Sequence, residues 1–371
     1  DMIMLARPLL ADPYWPKKVY SGKVKEIIPC IGEQEACINE FIHGGHPKCA
    51  VNPETGFEDV YKNIVPAIKP KRIAVIGAGP AGVLCSTLAS KRGHKVVLYD
   101  KKNKAGGIVI TGSVPKSKFD VANYVYYLNE ICYKCSKEYG LSLNFGTNVS
   151  TDVLKQENYD VVVCCTGAKH TKPSIAGVEL DHVKDSIEIL NNPSITDKAE
   201  KIVIIGGGAV GCEIAHFLAY EKNKRDITVI EVLPYFMKDV CTANRGHLIH
   251  YMEKKGVKLF NCASIEAIEN GKVNIIRNIS KTVPDPYVTW DPILPENIPN
   301  PLEKKIKIEN KQEELEADIV IIATGLISDD SFYEECLQKH VAPEVHNIGD
   351  AFQVGLIFEA TKAGYAIGSS L

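Results

Sequence analysis

A chain of 371 residues with 45% hydrophobic composition can bury substantial cores, which fits two or three domains and argues against disorder. The formal net charge of -3 is close to balanced, and the short basic runs Lys69 to Arg72 and Lys101 to Lys104 read as solvated turns, so nucleic acid and anionic membrane are poor partners. No apolar run approaches the roughly 18 residues of a membrane span, and the 12 cysteines are scattered rather than arranged as a small extracellular disulfide framework, so a soluble, cytoplasmic, reducing setting is expected.

Met2 to Pro13 reads as a short buried strand followed by a Pro-containing turn and a helix. Ile28 to Pro53 carries Cys30, Cys37 and Cys49, with Glu33, His43 and His46 among them. Three Cys plus a Glu or His can fill a tetrahedral zinc site. Glu54 to Pro70 is a linker rich in proline and charge.

The stretch Arg72 to Gly82, RIAVIGAGPAG, is an apolar run that turns through three glycines into the small-residue start of a helix. Gly77 permits the tight turn, Gly79 lets backbone approach a pyrophosphate, Ala81 keeps the helix start small, and Gly82 lets helix and strand pack closely. The helix N-terminus offers unpaired amides to phosphates. Lys95 to Tyr99 follows as a second parallel strand, and Asp100 at its end stands where a carboxylate receives a ribose hydroxyl. Gly106-Gly107 comes next, then a helix over Phe119 to Tyr139 holding Cys132 and Cys135 on one face, where packing is expected rather than redox chemistry. Tyr159 to Gly167 is a buried strand ending in a small-residue turn, whose Cys164 and Cys165 point to opposite faces.

The same pattern then recurs. Lys201 to Gly211, KIVIIGGGAVG, carries Gly206, Gly208 and Gly211, and Asp226 to Glu231 closes on a carboxylate 20 positions past the last glycine. Two fingerprints mean two dinucleotides, most simply a flavin and a nicotinamide. Glu231 would accept from both ribose hydroxyls and repel a 2′-phosphate, and no arginine directly follows it, which favours NADH over NADPH. Lys272 to Ile276 and Lys305 to Ile308 alternate like strands, with Pro284, Pro286, Pro292, Pro295, Pro299 and Pro301 punctuating the loop between them. Ile319 to Gly325 repeats the earlier buried strand and turn, and Val345 to Gly364 ends the series with Gly349-Asp350 before a helix near Leu356.

These stretches resemble a known family. DMIMLARPLLADPYWPKK is similar to the last strand and helix of the TIM barrel in the old yellow enzyme group, in particular its large members typified by 2,4-dienoyl-CoA reductase, 2-enoate reductase and trimethylamine dehydrogenase. The resemblance implies that Arg7 contacts an FMN phosphate, with Ala6 where the family motif has glycine. The family's C-x2-C-x3-C-x11-C pattern, whose thiolates hold a [4Fe-4S] cluster, is met by Cys30, Cys37 and Cys49, with Glu33 in the second position. Glu33 could ligate one iron, the site could hold a three-iron cluster, His43 or His46 could substitute, or the cluster could be lost. By the same resemblance, Gly106 and Gly107 pass close to the flavin pyrophosphate, Gly167 and Gly325 belong to the turns ending each nucleotide domain, and Asp350 after Gly349 bonds the ribityl chain. Glu213 resembles a glutamate that approaches the nicotinamide; a carboxylate placed by the helix dipole is the alternative.

The expected fold is therefore α/β, with two doubly wound Rossmann-like nucleotide-binding domains, one inserted in the other, after an iron-sulfur linker and a remnant of a TIM barrel. The boundaries expected are 1–20 for the barrel remnant, 21–56 for the iron-sulfur linker, 57–180 and 329–371 for the two parts of the FAD domain, and 181–328 for the NAD domain. The resemblance implies a relay from NADH to FAD and through the cluster to FMN in a barrel that reduces an enoate or enoyl-CoA type substrate. A homo-oligomer is left open, and no nucleophile or acid-base pair in the chain asks to be read as catalytic. Two other readings stand beside it, a thiol oxidoreductase using Cys132 and Cys135 and a non-catalytic nucleotide-binding module.

Overall fold

The structure is a computed structural model that describes residues 2–61, 63–221, 225–238, 240–289, 294, 298–301 and 304–371. Two of the loop prolines, Pro292 and Pro295, lie outside the described residues. The chain forms two compact units, the first from residues 1–169 and 326–371 and the second from 170–325. Ile175, Val178 and Leu180 pack against the core of the second unit, which is why that unit begins ahead of its first full strand.

In the first unit β1 (Arg72–Ile76), β2 (Lys95–Asp100), β3 (Ser142–Phe145) and β4 (Val161–Cys164) join Glu344–Asn347 in one sheet. The order is Glu344–Asn347, β4, β1, β2, β3, and every pairing is parallel. In the second unit β5 (Val183–Asp185), β6 (Lys201–Ile205), β7 (Asp226–Ile230) and β8 (Lys258–Phe260) pair in parallel with a strand at Ile319–Ile322. The order is β5, Ile319–Ile322, β6, β7, β8; the last four strands repeat the first unit's β4, β1, β2, β3 arrangement, whereas the edge strand comes first in the chain here and last in the first unit. A strand buried on both faces needs a continuous apolar run rather than alternation. Accordingly β1 and β6 share one burial pattern, an exposed first residue followed by four buried ones. The second unit adds an antiparallel meander of Ala263–Glu269, Lys272–Asn278 and Asn310–Glu316.

Four helices matter for the site: α1 (Pro80–Lys91), α2 (Phe119–Tyr139), α3 (Ala209–Glu221) and α4 (Ile357–Ser370). Ten residues of α1 are buried, and a helix covered on nearly every side must be built from small residues, as Ala81, Gly82, Ser86, Ala89 and Ser90 are. The last helix, α4, lies directly on it. A Cβ on Gly364 would meet the Ala81 carbonyl oxygen at 2.2 Å, so only glycine lets the two backbones come this close.

Two sequence expectations are corrected. Residues 2–5 form no strand, and Met2, Ile3 and Met4 are exposed; helix starts at Arg7. A strand needs a neighbour for its ladder hydrogen bonds, and none of the described strands pairs with this segment. Similarly, residues 305–308 are not strand, and the ladder begins at Asn310. There the Asn278 side chain takes the backbone, donating to the Lys307 carbonyl at 2.8 Å and accepting from the Glu309 amide at 3.1 Å.

Candidate functional site: two glycine-rich loops and a cysteine segment

The first loop has the geometry its sequence demands. Gly77 sits at φ +106°, and a Cβ there would meet the Cys165 carbonyl oxygen at 2.2 Å. A Cβ on Gly82 would meet the Gly77 carbonyl oxygen at 1.9 Å, so helix and strand touch through hydrogen alone. Asp100 is buried at the end of β2, where its Oδ2 accepts from the Ala78 amide at 2.6 Å and its Oδ1 from the Lys102 amide at 2.7 Å. The other expected flavin residues converge on this loop. The Gly106 amide donates to the Ala78 carbonyl at 2.8 Å, and a Cβ on Gly107 would come within 2.9 Å of the Gly79 Cα. Gly349, at φ +65°, would bring a Cβ to 3.1 Å from the Ala81 Cβ. Asp350 accepts from the Gly355 amide at 3.2 Å, which shapes the turn into α4, and burial holds its carboxyl above the usual aspartate range. Gly167, at φ +87°, ends the turn that follows β4.

The second loop repeats the first. Gly206 sits at φ +110° with the Ala323 carbonyl oxygen 2.4 Å from a built Cβ, and Gly211 meets the Gly206 carbonyl oxygen at 1.9 Å. Glu231 does what Asp100 does, its Oε2 accepting from the Gly207 amide at 2.7 Å and its Oε1 from the Leu233 amide at 2.8 Å. Here the loop borders a cleft of about 440 Å³ lined by Gly206, Gly208, Glu231, Gly325, Ile175 and Ser264 among others. A Cβ on Gly208 would meet nothing within 4 Å, so that glycine faces open space a ligand can use. Glu213, in the first half of α3, is not among the cleft-lining residues. Ile175, Ser264 and Ile265 line the cleft without any motif to announce them; they arrive from the segment ahead of β5 and from the antiparallel meander.

The cysteine segment is tied firmly to the first unit. The Asn52 side chain donates to the Ala11 carbonyl at 2.9 Å, Thr55 to the Leu10 carbonyl at 2.7 Å, and Thr361 of α4 to the Ala50 carbonyl at 2.7 Å. Buried Asp12 accepts from Lys18 at 2.6 Å and from the Ile28 amide at 3.0 Å. Cys37 lies on a π-helical turn, Glu35–Asn39, a geometry that recurs at functional sites. Cys49 interacts electrostatically with both Cys30 and Cys37; burial pushes its thiol up to about 11, while the Val51 and Asn52 amides donate to its sulfur and pull the other way. Amides aimed at a buried sulfur stabilise a thiolate, so this donor set fits a group that supplies positive charge. Among the described residues, no three His, Cys, Asp or Glu side chains converge as a single metal ion requires, which leaves no close-set tetrahedral zinc site. Thiolates on a multi-iron cluster bind different irons and stand farther apart.

Arg7, exposed on the five-residue helix Arg7–Ala11, is the sole expected FMN contact, and one exposed arginine does not make an FMN site. Cys132 and Cys135 are buried with their thiols raised by burial, Cys135 beside Ser90 of α1; they are core. Cys164 is buried too, against Cys336.

The pattern of the pyridine nucleotide-disulphide oxidoreductase family matches residues 71–344, the span that holds both glycine loops and both carboxylates. The chain belongs to this family. It is 30% identical over 370 residues to the NADH oxidase of Thermoanaerobacter brockii, covering 99% of this chain and 51% of that protein. To the cinnamate reductase of Clostridium sporogenes it is 28% identical over 374 residues, 100% of this chain and 50% of that one. Among solved structures, a 2-naphthoyl-CoA reductase complex superposes with a TM-score of 0.82 at 29% identity, covering 99% of this chain and 50% of the other. These relatives agree with the 2,4-dienoyl-CoA reductase resemblance, of which this chain matches the flavin and nicotinamide half. The chain spans about half the length of the relatives it matches. It is a pyridine nucleotide-dependent flavin oxidoreductase module that takes FAD and NADH.

Proposed function

We propose that this module oxidises NADH at bound FAD and sends the electrons through an iron-sulfur cluster toward an acceptor of the enoate or enoyl-CoA class. The relatives' names support the acceptor class, because cinnamate and 2-naphthoyl-CoA are both conjugated carbonyl compounds. The observation that carries the reading is the repeated pairing of a glycine loop with a carboxylate, Asp100 on the Ala78 amide and Glu231 on the Gly207 amide. Each carboxylate keeps lone pairs for ribose hydroxyls while it fixes the loop that receives the pyrophosphate. Bound FAD supplies the chemistry that joins a two-electron hydride donor to one-electron carriers.

The residues of the chain bind and orient. Gly79 and Gly107 bring two backbones within reach of one pyrophosphate, and the N-terminus of α1 faces it with unpaired amides. Glu231 selects NADH, since a 2′-phosphate would meet its negative charge. Arg245 does not offset that charge: it is buried, with its donors on the Phe236, Val288 and Thr289 carbonyls. Cys30, Cys37 and Cys49 would hold the cluster, with Glu33 as fourth ligand. The buried state of Cys132 and Cys135 speaks against dithiol chemistry.

The experiment is an absorption spectrum of anaerobically purified protein before and after NADH. A flavin band near ~450 nm that bleaches, over a broad sulfide-to-iron shoulder, is expected. Bleaching without the shoulder would remove the cluster from the reading, and a flavin unmoved by NADH would defeat it altogether.

A further inference from the structure

Helix α2 joins the cysteine segment to the flavin loop. On one side, the Asn129 side chain accepts from the Ala105 amide at 3.0 Å and donates to the Ala105 carbonyl at 2.9 Å, while a Cβ on Gly106 would meet Val125 at 3.3 Å. On the other side lie Asp120 and Tyr124, one turn apart and so on one face. A Cβ on Gly32 would stand 3.9 Å from the Asp120 carboxylate, which places the loop between Cys30 and Glu33 over the start of this helix. Cys30, Ile31 and Cys49 pack against the same apolar cluster to which Tyr124 belongs.

Tyr124 is the anomaly of this region. Its side chain is fully buried, its ring stacks on Tyr127 with centroids 6.2 Å apart, and its hydroxyl has no hydrogen-bond partner among the described residues. A buried hydroxyl without a partner is costly, and native folds rarely keep one. The ionisable groups its hydroxyl faces are Tyr127 first, then Cys49 and Glu33. An acceptor is therefore missing from the protein atoms on the side where the cysteines gather.

Resting on the reading that Cys30, Cys37 and Cys49 hold an iron-sulfur cluster, we propose that the Tyr124 hydroxyl donates a hydrogen bond to a sulfur of that cluster and so sets its reduction potential. Tyr124 is a positioning residue in this role and ligates no iron. A donor at a cluster sulfur stabilises the reduced, more negative state, and its loss must lower the potential. Tyr124→Phe deletes one oxygen and keeps the ring on Tyr127.

The test is potentiometry, followed by electron paramagnetic resonance, on wild type and Tyr124→Phe reconstituted anaerobically with iron and sulfide. The melting temperature of each is measured again after chelation. The expected result is equal iron, an unchanged flavin potential, and a cluster harder to reduce by about tenfold in its equilibrium, or about 59 mV for one electron. After chelation the variant should melt no lower than wild type, because it has lost only an unpaired hydroxyl. Loss of iron from the variant alone, with FAD retained, would also support the role. Equal iron with an unchanged cluster potential would overturn it while leaving the cluster in place. A variant that unfolds or melts lower after chelation would overturn it too, by showing that the hydroxyl serves the fold. Wild type that takes up no iron would overturn the cluster reading and this proposal with it.

Discussion

The two nucleotide units use one device and finish it differently. Four of the five strands in each sheet follow the same order, and in each unit the third fingerprint glycine lies against the first glycine's carbonyl oxygen, which a Cβ would approach to 1.9 Å. Yet the flavin loop is covered: the Gly106 amide bonds the Ala78 carbonyl, Gly107 lies on Gly79, and Gly349 lies on Ala81. The nicotinamide loop opens on a cleft of about 440 Å³, with nothing within 4 Å of a Cβ on Gly208. A covered loop suits a cofactor kept through many turnovers, and an open one suits a nucleotide that enters and leaves. The difference comes from what the chain adds after the fingerprint, since the glycine pattern of the fingerprint is the same in both.

The largest expected effect breaks the comparison at the helix. In both Gly82→Ala and Gly211→Ala a methyl must displace backbone. In the flavin unit α1 has no room to retreat, because Gly364 of α4 already touches the Ala81 carbonyl. Gly82→Ala should cost about 3 kcal/mol or more and yield protein without FAD, whereas Gly211→Ala should cost about 1–3 kcal/mol and remain yellow. Flavin content per protein and thermal unfolding decide this; equal losses in the two variants would mean that the clamp from α4 does not matter.

A smaller effect sharpens the contrast at the open loop. Gly208→Ala adds a methyl that meets no protein atom, so the unfolding free energy without nucleotide should hold within about 0.5 kcal/mol of wild type. Backbone approach to a pyrophosphate is blocked all the same, and NADH affinity should fall about tenfold to a hundredfold, measured by titration against flavin bleaching. Glu231→Ala should weaken NADH to a similar degree while narrowing its preference over NADPH. A Gly208→Ala variant that binds NADH normally would show that the cleft is not the nucleotide site.

How legible all this is in the sequence depends on whether the deciding interactions are local. Gly77, Gly82, Gly206 and Gly211 announce themselves because a tight turn and a close helix admit few residue types at fixed spacing, and each was found in the expected conformation. Asp100 and Glu231 are legible for the same reason. Tyr124 and Asn129 are not, since what makes them matter is a partner far along the chain: the cysteine loop in one case, Ala105 in the other. Met2 to Leu5 is apolar but forms no strand, because an apolar run specifies a strand only when a neighbour supplies the ladder. Residues 305–308 alternate as a strand should, but the Asn278 side chain captures their backbone, and side-chain capture leaves no period to read.

The smallest effect tests a second repeat, at the opposite ends of the strands. Asp160, just ahead of β4, accepts from the Arg72 amide at 2.7 Å; Asp318, just ahead of Ile319–Ile322, accepts from both the Lys201 and Glu200 amides at 2.8 Å. The Lys201 amide first, then that of Glu200, holds the Asp318 carboxyl below its usual value of 3.8. A depressed carboxylate binds fewer protons folded than unfolded, so its stabilisation is present above pH about 4 and is lost as pH falls through the folded value. Asp318 is exposed, and solvent screening limits the contribution to about 0.5 kcal/mol. Asp318→Asn should therefore lose that much at pH 7, progressively less as pH falls below about 4, and flatten the acid limb of a stability-against-pH curve measured by urea unfolding. Asp160→Asn, which gives up one charge-assisted amide bond rather than two, should lose less; an equal loss would mean that the second amide, from Glu200, adds nothing.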